Sequence, residues 1–81
     1  MTVSTKTTRF TWHATALDGG VIITRVDDHG HTAILGVPYQ RSEGLDLFVP
    51  TPAACEAMGL PEDVIVDLNV ALADGRARAT A

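Results

Sequence analysis

The stretch Asp27-Asp28-His29-Gly30-His31 sets two carboxylates and two imidazoles within five residues, the oxygen and nitrogen donors that suit a divalent metal. A small metal-dependent enzyme using Asp27, Asp28, His29 and His31 is one reading. The other is a solvated hairpin turn in which Asp and Gly serve turn geometry. His13 would act as a general base only if a nucleophile and an orienting carboxylate converged on it, and the chain has no G-x-S-x-G and no P-loop. It reads as an exposed strand histidine. Cys55 falls near the start of a short helical segment, where the helix dipole would lower a thiol pKa; a small core filler is the alternative. As the only cysteine it excludes an intrachain disulfide and offers no paired zinc spacing. The expectation is a non-enzyme with no catalytic residue and no cofactor.

Charge limits the partners. Six basic residues, Lys6, Arg9, Arg25, Arg41, Arg76 and Arg78, stand against ten acidic ones for a formal charge of -4. Nucleic acid binding would need a local basic patch. Arg9, Arg25, Arg76 and Arg78 are the residues that would form one, if an oligomer grouped them. With 46% hydrophobic and 20% charged residues the chain is too apolar for a disordered tail, and 81 residues make one domain that buries only about 60% of its unfolded surface. Self-association would add burial. The opening MTVSTKTTRF has no apolar run of signal-peptide or membrane-span length, so the expectation is a cytoplasmic protein without a membrane partner.

Residues 1–8 read as a flexible Thr/Ser arm and residues 9–81 as a single β-rich domain. Phe10, Trp12, Ala14 and Ala16 alternate with Thr11, His13 and Thr15, the period of a half-buried strand. Asp18-Gly19-Gly20 predicts a hairpin into VIITRV, and TAILGVPY gives a third strand with Ala33, Leu35, Val37 and Tyr39 on one face. Gly36 would mark a bulge or a bend. Pro38 and the polar Gln40 to Gly44 predict a loop, followed by a strand with Leu45, Leu47 and Val49 on one side. Thr51 as N-cap, Pro52 at the first helical position and Gly59 as C-cap bound a two-turn helix near 52–58. Val64, Val66, Leu68, Val70 and Leu72 then alternate with their neighbours as an amphipathic strand, and Asp74-Gly75 opens a hairpin to a weaker sixth strand.

The order of features from Phe48 to Arg76 resembles the AbrB/MazE-type swapped-hairpin β-barrel of bacterial transition-state regulators and antitoxins. The matching features are Val49-Pro50, the helix over Ala53 to Met58, the stop Gly59-Leu60, Asp63, the alternating run from Val64, and Asp74-Gly75-Arg76. The resemblance implies two chains interleaved into one barrel, with basic residues on the dimer surface contacting DNA. PAACEAM carries no Lys or Arg, so it implies the fold before it implies DNA contact through that helix.

The sequence thus predicts an all-β or β-rich barrel or sandwich of five to six strands with one short helix. Apolar positions such as Ile65 are expected at the surface and predict a homo-oligomer. The leading expectation is a non-enzymatic, homo-oligomeric interaction module that binds a protein partner or itself. An AbrB-like DNA-binding transcriptional regulator or antitoxin is the alternative, and the metal-dependent enzyme is third.

Overall fold

The computed structural model describes residues 1–42 and 44–80; the side chains of Ser42, Leu45 and residues 77–80 lie outside that description. Five strands precede two helices: β1 Thr2–Lys6, β2 Thr11–Leu17, β3 Gly20–Val26, β4 Thr32–Ser42, β5 Leu45–Phe48, α1 Pro52–Met58 and α2 Glu62–Thr80. The strands pair in sequence order as one antiparallel sheet, curled into half a barrel. The β-rich expectation holds, with one more helix than expected.

β4 produces the curl by changing partners. Thr32 to Pro38 pair with β3, and Tyr39 to Ser42 pair with β5. The Tyr39 N–H donates to the Gly19 carbonyl at 3.2 Å, so the adjacent Pro38 nitrogen faces the other side, where β5 has already ended. Pro38 therefore breaks no ladder, and much of the loop expected over Gln40 to Gly44 is strand. Leu17 and Gly20 close the β2–β3 hairpin around Asp18-Gly19, with Gly19 at φ +112°. A Cβ at Gly20 would collide with the Val37 carbonyl oxygen.

Alternation buries Trp12 and Ala14 of β2, Val21 and Ile23 of β3, and Val37 of β4 on one face, with Phe10, Ala33, Leu35 and Tyr39 packed at its margin. In β5 the buried residue is Phe48, paired with Tyr39, while Val49 is exposed. Leu47 and Val49 lie on the side opposite Phe48, as the alternation predicts, and the Leu45 side chain expected with them lies outside the described residues. Trp12 is fully enclosed, and its Nε1–H has no hydrogen-bond partner among the described residues.

α1 forms as its caps predict. Thr51 Oγ1 accepts from the Ala54 N–H at 3.2 Å, and Gly59 ends the helix in the left-handed region. The Gly59 N–H reaches the Glu56 carbonyl at 3.2 Å and the Leu60 N–H reaches that of Cys55 at 2.9 Å, a Schellman pairing that buries Leu60.

The largest correction is α2, where a strand over Val64 to Ala73 was expected. The same residues satisfy both periods. Val64, Leu68 and Leu72, at i, i+4 and i+8, are buried, whereas Val66 and Val70, which a strand would put beside them, are exposed. Ile65, expected at the surface, packs against the core. The Pro61 carbonyl accepts from the Val64 and Ile65 N–H groups, Glu62 and Asp63 complement the helix dipole, and the Ala-, Leu- and Arg-rich continuation favours helix. The sheet's apolar face also needs a cover larger than the seven residues of α1. The segment after Gly75, expected as a sixth strand, continues α2.

α2 lies inside the curl and touches β1, β2 and β5. It seals the β5 edge with side chains. Asn69 Nδ2–H donates to the Phe48 carbonyl at 2.9 Å while its Oδ1 accepts from the Phe48 N–H at 3.1 Å, so one amide replaces a neighbouring strand. Two turns on, Arg76 donates to the Asp46 carbonyl at 3.1 Å. At the other edge Thr2 to Lys6, expected as a flexible arm, pair with β2 from Thr2↔Thr15 to Lys6↔Thr11. The flexible Met1 side chain lies where a Cβ on Gly75 would be, so the start of the chain meets the last turns of α2.

Candidate functional site

Asp27 shapes its own turn. Its Oδ1 accepts from the His29 and His31 N–H groups, both at 2.8 Å, and His31 Nδ1 lies 3.3 Å from Oδ2. Partial desolvation, the largest single influence, acts to raise the Asp27 pKa. The backbone donors of His31 and His29, with the charges of their imidazoles, together outweigh it and leave the carboxyl below its ordinary value. Asp28, His29 and His31 point into solvent, with the two imidazole centroids 6.1 Å apart. No group of three or more His, Cys, Asp or Glu side chains among the described residues converges as a metal site would require.

The arginines of the sequence reading separate. Arg25 shares the core face of β3 with Val21 and Ile23, donates to the Met58 carbonyl at the end of α1, and lies 4.7 Å from the centre of the Phe10 ring. It completes the α1 C-terminus. Arg76 stands at the other end of β3, 4.9 Å from the centre of the Tyr39 ring. Arg9 is exposed in the β1–β2 connection, and the Arg78 side chain lies outside the described residues. Around Arg76 is a feature the sequence did not reveal: a cleft of about 210 Å³ lined by Arg41, Gly44, Asp46, Leu47, Ala73 and Arg76. Arg41 Nη1 lies 3.4 Å from Asp46 Oδ1 across it.

The face of the sheet away from the helices carries a surface that the core does not use. Register places Thr15, Ile22 and Gly36 in one row, His13, Thr24 and Ile34 in the next, and Thr11, Val26 and Thr32 in a third. These three strands put no Asp, Glu, Lys or Arg there, in a chain with sixteen such residues. Ile34 is 68% exposed. Gly36, expected to mark a bulge or a bend, is paired in register with Ile22, and nothing lies within 4 Å of where its Cβ would be. The chain itself imposes no need for glycine at that position, and glycine inside a strand costs stability. His13 sits half-buried on this face between Ser4 and Thr24. Cys55 is partly buried, its Sγ 3.9 Å from the Pro50 carbonyl.

Comparison with protein-family models, with curated proteins and with solved structures finds no match to this chain. Among the described residues no helix is long and apolar enough to cross a membrane.

Proposed function

We propose that the protein is a non-enzymatic interaction module that assembles with a second copy of itself through the uncovered sheet face. The observation that carries this reading is Gly36 beside Ile34 on the part of that face built by β2, β3 and β4, which carries no formal charge. Depletion of charge marks the centre of protein interfaces, and a strand glycine with open space above it lets another chain approach closely. In a two-fold sandwich the Ile34 side chain of one copy fills the hollow over Gly36 of the other. Three strands at ~4.8 Å spacing and six residues at ~3.3 Å give an uncharged patch of roughly 14 by 20 Å in projection, the size of the centre of a small, weak interface.

Two observations favour this reading over an AbrB-like DNA regulator and over a metal enzyme. Arg25 and Arg76 each hold a backbone carbonyl and an aromatic ring, and the Asp27 carboxylate is engaged by its own turn. The lone thiol of Cys55 suits the cytoplasm. Sedimentation equilibrium from about 1 to about 100 μM, a range over which a weak dimer shifts with concentration, tests the proposal. The wild type should approach twice the monomer mass, and Ile34→Lys should remain monomeric with an unchanged circular-dichroism spectrum. A wild type that stays monomeric throughout overturns the reading.

A further inference from the structure

His13 is the one titratable side chain on the outer face of β2, β3 and β4, and the ladders set it in a row with Ser4, Thr24 and Ile34. On β1 the same face carries Thr2, Ser4 and Lys6, and Lys6, opposite Thr11, is the charged group diagonal to His13. β3 presents Ile22, Thr24 and Val26 there and β4 presents Thr32, Ile34 and Gly36, none of which titrates. Arg25 of β3 turns to the core face, and Arg9 stands in the β1–β2 connection. The carboxylates of Asp18, Asp27 and Asp28 lie in the hairpin turns, at least three residues or roughly 10 Å along the strands from the His13 row. No acid is near enough to compensate an imidazolium on this face.

The two-fold sandwich fixes what covers this imidazole. Ile34 lies over Gly36 of the other copy only if the axis runs across the strands, midway between the Ile34 row and the Gly36 row. The same operation lays His13 over the other copy's Thr15, and Thr24 over its Ile22. We propose that the dimer is pH-sensitive: the two faces close on neutral His13, and protonation of its imidazole in mild acid parts the copies. Closure takes the imidazole out of water, which disfavours its charged form. Lys6 adds repulsion, as do the two imidazoles, one row apart across the axis, when both are charged. A neutral imidazole has one donor and one acceptor, which the Thr15 hydroxyl matches. Dissociation therefore takes up protons, so association is strongest above the range in which histidine titrates and weakens as pH falls through it. The inference rests on the reading of the uncovered sheet face as a dimer interface and names what regulates it.

Sedimentation equilibrium of the full chain at about pH 7.5 and about pH 5.5 tests it, since the charge change of histidine falls between these limits or close to them. With two imidazoles per dimer the dissociation constant should rise about tenfold to a hundredfold at the lower pH, while the circular-dichroism spectrum stays the same. His13→Gln, which has no proton to gain, should show less than about a threefold difference between the two conditions, whatever its affinity. His29→Gln with His31→Gln removes the other histidines, both exposed in the β3–β4 turn, and should keep the wild-type rise. A wild type that dimerises equally at both pH values, or a His13→Gln protein that keeps the rise, overturns the inference and leaves the dimer in place. A wild type that is monomeric at both overturns the dimer and the inference with it.

Discussion

Asn69 is one side chain doing the work of a strand, and its replacement should cost far more than its partly buried position on α2 suggests. Asn69→Leu keeps the volume and removes both hydrogen bonds to Phe48, leaving the N–H and C=O of a β5 residue between the sheet and the helix without partners. Each lost backbone partner costs about 1–2 kcal/mol once desolvation is counted, so the substitution should remove roughly 2–4 kcal/mol. A chain of 81 residues has about 4–12 kcal/mol in total, and the Tm should fall by roughly 10–30 °C. Urea unfolding followed by circular dichroism measures the loss. Asn69→Asp supplies the sharper control. Its carboxylate accepts from the Phe48 N–H but repels the Phe48 carbonyl, whereas the neutral acid donates to it. The folded state therefore favours the protonated form and raises that pKa, so the variant should be more stable in acid, relative to wild type, and lose stability as pH rises through the folded pKa. A loss below about 0.5 kcal/mol in Asn69→Leu, with unchanged m-value, would refute the idea that this amide seals the β5 edge.

Two glycines should respond with opposite signs. Gly20→Ala drives a methyl into the Val37 carbonyl and should destabilise by about 2 kcal/mol or more, whereas Gly75→Ala meets only the flexible, half-exposed Met1 side chain and gains about 1 kcal/mol of helix propensity; thermal melts of the two variants separate them. The Asp27 turn should contribute to acid sensitivity: with its pKa held below the ordinary 3.8, its stabilisation is present above that value and is lost as pH falls through the folded pKa. Asp27→Asn, which keeps an acceptor for both N–H groups, should flatten the acid limb of the stability profile below pH 4, and an unchanged limb would show that the carboxylate is not linked to folding.

The sequence made the meander legible because its signals were local. Asp18-Gly19 fixes a turn, Phe10 to Ala16 alternate, and Thr51-Pro52 and Gly59 bound α1, each within a few residues. It misread α2 because Val64 to Leu72 fit a period of two and a period near 3.6 at once, and only the unpaired apolar face of the sheet decides between them. β1 escaped notice because Thr2, Ser4 and Lys6 are polar on the outer face, and its other face rests on α2 from the far end of the chain. The candidate surfaces escaped for the same reason. The uncharged face is assembled by register from three strands, and the in-register pairing of Gly36 with Ile22 and the open space above it depend on neighbours outside its own strand. The arginines were visible as residues, but their engagement by Met58, Asp46 and two aromatic rings depends on contacts distant in sequence.

The contact between Met1 and Gly75 bears on how the chain folds. Each strand pairs with the next in sequence, so the sheet can grow through short loop closures, and contact order within it is low. The approach of α2 to β1 is different: it closes a loop of nearly the whole chain, at an entropic cost on the order of 2–3 kcal/mol more than a hairpin turn. That cost is recovered only after Val64, Leu68 and Leu72 have docked. The sheet should accordingly be structured early in the folding transition state while the joining of the two chain ends comes late, so that substitutions around Gly75 change the unfolding rate and substitutions in the β2–β3 hairpin change the folding rate.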